Sequence, residues 1–507
     1  MKIVNPALVP FRHDHLGPRS IRHERENLMR EKPNRRTRLL TGSLTLVVFG
    51  VLALIATIGS ALAQNQTSLS NLFPFPDPSG VVKTFTTDPR GKVDLTGPFF
   101  QQLGTNGRSC ASCHQPSDGW TVSAAHVQAR FTASAGLDPI FRTVDGSNCD
   151  HHMDVSSVAG RAQAYSLLTT KGLIRIALSV PAGAEFRVDS VSNPYGCNET
   201  NTLSMYRRPL PAANLRFLST VMWDGRESSS QTGTQKITYP TNPGDLLLDL
   251  AHQSVDATLG HAQATAAPTQ DQQKAIVNLE TQLFVAQAVD SNAGSLQSSG
   301  ATGGPEPLST QSFFIGINDP VGQNPFGTIF SPTIFTLFNP WVNSSETAKA
   351  SIARGQTIFN SKPISIAGVA GLNDAFFSGT PIVGTCGTCH DAFNVGNHSV
   401  SAPLNIGVGD LTNPLGVGYL PVITLRNLTT GATVQTTDPG RALITGKWAD
   451  IGKVKGPILR GLASRAPYFH NGSADTLSDV VNFYDLRFGI GLTAQEKADL
   501  AAFLAVL

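Results

Sequence analysis

Apolar positions along this 507-residue chain form one long unbroken block and several short periodic stretches. The block runs from Leu39 to Ala63 without a charged side chain and closes on Ala61-Leu62-Ala63 before Gln64. A polar, basic segment ending Asn34-Arg35-Arg36-Thr37-Arg38 precedes it. A basic leader, an apolar core and a small-residue cleavage site make residues 1–63 a secretory signal peptide, with Met29 as an alternative start. The run is also long enough to span a bilayer as an uncleaved anchor.

After a loose polar lead-in, 64–80, helical periodicity recurs. Leu246 to His261 places Leu247, Leu250, Ala251, Ser254 and Thr258 on one face, and Gln270 to Gln287 presents Ile276, Leu279, Leu283 and Ala286. Ile352 to Phe359 is a shorter helical segment. From Thr493 a closing helix carries the stripe Leu500, Phe503, Leu504 and Leu507, and Thr493 with Glu496 makes a capping box. Ala164 to Val180 alternates and is rich in β-branched residues, so it predicts a strand pair inside an irregular insertion, 124–201. Ser291 to Pro307 is Ser- and Gly-rich and reads as a linker. Phe313 to Trp341 is an irregular aromatic segment suited to covering an interface. The pattern predicts a mainly α chain with long loops and a small β-containing insertion.

Composition agrees: 47 Gly and 32 Pro fit long loops between short helices. The net charge of +2 conceals an asymmetry, because residues 1–38 carry ten Lys/Arg against four Asp/Glu. Taking that +6 from the +2 leaves −4 on the remainder, which excludes a nucleic-acid binder by charge.

Six cysteines change the picture further. Four stand in two copies of one motif, Cys110-Ala-Ser-Cys113-His114 and Cys386-Gly-Thr-Cys389-His390. Two thiols three positions apart, followed at once by an imidazole, fit c-type haem attachment. The cysteines add across the two vinyl groups, and the histidine offers a ring nitrogen to the iron. A zinc site pairing the two CxxC units would leave both histidines unexplained. Cys149 and Cys197 remain, and an exported chain normally pairs such a couple in a disulfide.

A helix before each motif and one after it are the parts of a cytochrome c domain. The chain therefore divides into a cytochrome c-like unit at 81–290, a linker or interface segment at 291–343, and a second such unit at 344–507. The five methionines are Met1, Met29, Met153, Met205 and Met222, so the second unit holds none to ligate its iron. His398, His470, Tyr419, Tyr468, Tyr484 and a few lysines remain as candidates, and an imidazole or tyrosinate would lower the potential relative to methionine.

Taken with Trp223-Asp224-Gly225-Arg226 and the stretch from Leu459 to Ser473 containing Pro467-Tyr468-Phe469-His470, these motifs resemble the bacterial di-haem cytochrome c peroxidases, including their MauG-like branch. The resemblance covers about 85–125, 205–290 and 345–507. It implies two covalent haem c groups, with His114 the proximal ligand of a peroxide-reacting haem and His390 that of an electron-transfer haem. Trp223 would be the relay between them. In the family's peroxidases a methionine some fourteen residues after the PYFH histidine ligates the second iron. The MauG-like branch has a tyrosine there, and here that position is Tyr484, with His470 the alternative.

The resemblance also implies a glutamine and an acid over the first haem. Gln253 matches the glutamine, but the acid's place falls on Gln263, an amide that cannot be a general base. His261 is the nearby proton carrier, and His126 the nearest counterpart of a gating histidine. A calcium ion between the haems, whose ligands this sequence does not clearly match, and a homodimer belong to the same analogy. The expected activity is periplasmic reduction of hydrogen peroxide with electrons from a small cytochrome or copper protein. Oxidation of an organic or protein substrate, or electron carriage without catalysis, are the alternatives.

Overall fold

A computed structural model describes residues 67–227 and 243–507. The expected signal peptide and the first residues of the lead-in lie outside them. Among the described residues no helix is long and apolar enough to cross a membrane. Residues 67–507 form one compact unit.

The architecture is mixed α and β, not the mainly α pair of cytochrome c-like domains expected from the pattern. Thirteen strands in five small sheets are spread along the described residues. The lead-in is not loose: Ser68–Ser70 pairs with Lys92–Asp94, and Pro74–Asp77 pairs with Gly80–Thr86. Gly80–Thr86 pairs in turn with Leu283–Asp290. The second periodic stretch is a helix only over Gln270–Gln282, with a capping box at Thr269 and Gln272. From Leu283 the chain is extended, because Leu283, Phe284, Val285 and Ala286 are all buried, which a one-sided helix cannot arrange.

The insertion is likewise more regular than expected. It contains the helices Ala124–Ser134, Val158–Ala164 and Ser166–Lys171. The strand Ile174–Ser179 pairs with Thr202–Arg207, outside the insertion. Its other strand, Phe186–Ser192, pairs with Val422–Asn427, more than two hundred residues on, and Thr433–Thr436 completes that sheet. Such pairings leave no local periodicity longer than six or seven residues, so helix signals dominated the sequence pattern. Cys149 and Cys197 are disulfide-bonded.

Several expected helices are present. Pro243–Gly260 covers the first periodic stretch, and Ala494–Ala505 starts at the Thr493/Glu496 capping box. The closing helix crosses Thr347–Ser361 at Gly355, where a Cβ would lie 2.0 Å from the Asp499 carbonyl oxygen. The crossing buries Phe359, Leu500, Phe503 and Leu504 with Phe335, Phe338 and Trp341 of the irregular aromatic segment. The 291–307 stretch is packed rather than free, with Leu296 and Pro305 buried.

Candidate functional site

The first CxxCH folds as a single 3-10 turn, Cys110–Ser112, closed by a Ser109 N–H bond to Ser112 Oγ. Cys110, Cys113 and His114 all line a cavity of about 170 Å³. His114 Nδ1 lies 3.0 Å from the Trp120 carbonyl oxygen. Donation through Nδ1 leaves Nε2 with a free lone pair, the arrangement a metal-ligating histidine needs. Trp120 is itself anchored, its indole N–H donating to Thr84 Oγ1 at 2.8 Å.

The helix Pro243–Gly260 lends this cavity one of its rows, Leu250, Gln253, Ser254, Ala257 and Thr258, and His261 follows just past its end. Gln253 and His261 are thus brought together around the first motif, as expected. Gln263 is not: it sits in a left-handed turn, its side chain accepting from Asn106 Nδ2 at 3.2 Å. His126 does not line the cavity and is bonded to the Asp118 carboxylate.

The acid at this site comes from elsewhere. Asp145, within the insertion, lines the cavity, is buried, and holds His261 Nδ1 through one oxygen and the Arg108 guanidinium through the other. Burial alone would raise its carboxyl. The hydrogen bond from His261 and the His261 and Arg108 charges overcome that and keep it below the usual carboxylate range. A second acid, Glu280, lines the same cavity with one oxygen unpartnered, and burial pushes it up to about 8.

The second motif repeats the first. Cys386–Thr388 is a 3-10 turn with a capping box from Thr385 and Thr388, and His390 Nδ1 lies 2.7 Å from the Gly396 carbonyl oxygen. Cys386, Cys389 and His390 line a cavity of about 220 Å³, together with His398, His470 and Tyr484. Tyr484 projects from the helix Leu477–Phe488, with its ring centroid 6.5 Å from that of His390. Burial raises its phenol above the ordinary tyrosine value. The His470 ring lies 6.0 Å from Trp223, with Nε2 buried and unpartnered, and burial lowers its pKa to about 4.

Trp223 lines both cavities, as do Arg208, Pro209, Leu210, Pro211 and Lys455. Its indole N–H donates to the Arg208 carbonyl at 2.8 Å, and its own carbonyl accepts from Lys455 N–H at 2.8 Å. The turn behind it is fixed by Asp224, fully buried between Arg207 and Arg226. Arg207 reaches on to Asp438 at 2.6 Å. Gly225, at φ +65°, leaves room for Arg441, whose Nη1 would lie 2.9 Å from a Cβ there.

Protein interiors keep few voids larger than a water molecule, so a large cavity against each CxxCH suits a bulky apolar group tethered to the cysteines. The polar lining agrees. Arg208, Lys455 and Arg460 are buried around the two cavities, and Arg465 is half-buried beside the second. Burial lowers them to about 10, 7, 9 and 10 respectively. Arg465 Nε is also unpartnered. Such cations call for anionic partners, and the propionates of a haem are of that kind. The residues present fit the group.

Each cavity is built on a CxxCH turn, Trp223 is among the residues they share, and this chain is similar to cytochrome-c peroxidases. The relatives that carry the similarity are proteins of that name. Cytochrome-c peroxidase IdrP1 of Pseudomonas sp. (strain SCT) is 41% identical over 81 residues, 14% of this chain and 21% of the relative. Cytochrome-c peroxidase IdrP2 of Denitromonas iodatirespirans is 35% identical over 139 residues, 24% of this chain and 36% of the relative. The matched stretches therefore span only about a fifth to a third of those proteins. A solved MauG-like protein associated with microbial copper homeostasis aligns over 81% of this chain and 85% of its own, at 17% identity and a TM-score of 0.35. No family model matches the sequence.

Proposed function

We propose that this chain is an exported di-haem oxidoreductase that reduces hydrogen peroxide to water with electrons from a small redox protein. The observation that carries the reading is one CxxCH turn in each of two cavities that share Trp223. Cys110 and Cys113, and Cys386 and Cys389, would hold the two haems by thioethers, and His114 and His390 would offer their Nε2 atoms to the irons. When bound, the haems supply iron for peroxide binding and for electron passage.

The protein's own work at the first cavity is proton transfer. Reducing hydrogen peroxide to two waters takes two electrons and two protons, so a proton must be delivered as the O–O bond breaks. His261 carries it on Nε2, because Nδ1 is engaged by Asp145. Gln253 orients the peroxide through its amide. Trp223 lies between the cavities and relays electrons from the second. Tyr484 is the better partner for the second iron, since its ring neighbours that of His390, whereas the His470 ring packs against Trp223. The electron donor is a small cytochrome or copper protein.

The test is peroxide-dependent oxidation of a reduced small cytochrome by the purified chain. His114→Gly should abolish turnover while the second haem stays attached; undiminished turnover contradicts the assignment. Export is tested by N-terminal sequencing of the mature chain, expected to begin at Gln64.

A second reading, oxidation of an organic or protein substrate, draws support from Tyr484 in the second cavity and from Gln263 where the peroxidases have an acid. It predicts peroxide consumption without any added donor.

A further inference from the structure

Beside the second haem motif, two buried carboxylates face a buried imidazole, His398, whose place as iron ligand is taken by Tyr484 in the reading above. Asp319, Asp391 and His398 are 2%, 0% and 7% exposed, and their ligand atoms lie within 4.8 Å of one another. Asp319 comes from the irregular aromatic segment, and the other two follow His390 in the chain.

Each side chain is held from behind so that one donor atom is left facing the others. Asp319 Oδ2 accepts from the backbone N–H groups of Val321 (3.1 Å) and Gln323 (2.7 Å), while Oδ1 is buried with no partner. Asp391 Oδ1 accepts from Ser399 N–H at 2.6 Å. Its Oδ2 meets Ser399 Oγ at 3.1 Å and lies 3.8 Å from His398 Nε2. His398 Nδ1 donates to the Ala402 carbonyl at 3.2 Å, which leaves the Nε2 lone pair directed at the cluster. Among the ion pairs of the described residues, no Lys or Arg stands beside either carboxylate; the His398 imidazole alone does.

Two carboxylates buried together without a Lys or Arg repel one another and lose solvation, and a buried oxygen without a partner adds to that cost. A cation removes all three penalties at once. We infer that Asp319, Asp391 and His398 form a binding site for a divalent first-row transition-metal ion, separate from the haem irons. The mixed oxygen–oxygen–nitrogen donor set selects the ion. Calcium and magnesium take oxygen donors, whereas an imidazole with two carboxylates suits zinc and its neighbours. Around a tetrahedral zinc the donors would draw in to about 3.4 Å, within reach of side-chain rotation. The ion would clamp the 313–341 segment to the loop after His390, where Asn318 Nδ2 already reaches the Asp391 carbonyl at 3.2 Å.

The haem-loaded full-length chain, stripped with dipicolinate and titrated with Zn²⁺, tests this. Metal analysis should find one Zn²⁺ per chain beyond the haem iron, undisplaced by tenfold Ca²⁺. Asp319→Asn can still accept the Val321 and Gln323 N–H groups through its amide oxygen, and should weaken zinc at least a hundredfold with an unchanged Soret band. His151→Ala should leave the stoichiometry unchanged, because it removes only the exposed imidazole that Asp150 and Glu199 flank as a competing site. Absence of stoichiometric zinc in the parent chain, equal displacement by Ca²⁺, or full binding by Asp319→Asn overturns the inference. The parent titration decides even if the variant fails to fold. Haem is quantified separately in the same samples, so one covalent haem with one bound zinc would defeat the di-haem reading and leave this one standing.

Discussion

Asp145→Asn is the sharpest probe of the first cavity. Asp145 is 5% exposed and splits its oxygens between two partners, Oδ1 to Arg108 and Oδ2 to His261. Arg108 keeps its backbone anchors on Pro139, Ile140 and His261 without it, so the local fold should survive. What is lost is a charge-assisted hydrogen bond to the proton carrier, roughly 1.5–3 kcal/mol. At about 1.4 kcal/mol per decade, kcat/KM for peroxide should fall by about tenfold to a hundredfold. The amide can also present its NH₂ to His261, which favours the wrong tautomer. The assay is donor oxidation at varied peroxide, with haem content and the Soret band as controls. Asp145→Glu should recover part of the loss, which a merely structural role would not require. A kcat/KM within about threefold of the parent refutes the role given to Asp145.

Three further outcomes follow from the packing. Dithiothreitol spares thioethers and should open only Cys149–Cys197, a pair 48 residues apart. The chain-entropy model gives a loss of about 4 kcal/mol in urea unfolding, and a loss below about 1 kcal/mol would mean the bridge does not constrain the unfolded chain. Glu280 has its folded pKa raised by burial from 4.5 to about 8, so the native state keeps a proton that the unfolded chain releases. Stability is thus intact below about pH 4.5 and falls as the pH climbs toward 8, by at most about 5 kcal/mol. Glu280→Gln should match the parent at pH 5 and exceed it at pH 8 in thermal melts, and an advantage flat in pH would contradict this. Gly355→Ala gains about 1 kcal/mol in helix propensity, but its Cβ meets backbone at 2.0 Å. Overpacking of about 1–3 kcal/mol should win, and a variant as stable as the parent in denaturant would show that the helices do not cross that closely.

What could be read from residue order, and what could not, divides by locality. The two CxxCH turns, the capping box at Thr493 and the helix Pro243–Gly260 are local patterns, and each is present, although the helix buries Leu246, Leu250, Ser254 and Thr258 and leaves the expected Leu247 exposed. The Trp223 motif lies between the cavities, and Cys149 and Cys197 are paired. Asp145 escaped notice because no motif surrounds it; it reaches His261 across 116 residues. The cations Arg208, Lys455 and Arg465 look in sequence like ordinary surface charges, and only the fold shows them lining cavities. The mainly α expectation failed for the same reason. Phe186–Ser192 and Val422–Asn427 make sense as strands only once paired, and the helical reading of 283–287 missed that a residue buried on every side favours a central strand. Gln263, an amide that cannot be a base, accepts from Asn106 in its turn.

The central claim is that two porphyrins are tethered to one polypeptide at chemically unlike sites. Intact mass of the purified exported chain, taken with haem absorbance per chain, tests it most directly. The account predicts two covalent haems, one of them lost in Cys110→Ala/Cys113→Ala and the other in Cys386→Ala/Cys389→Ala. A mass corresponding to a single haem, or to none, would contradict it.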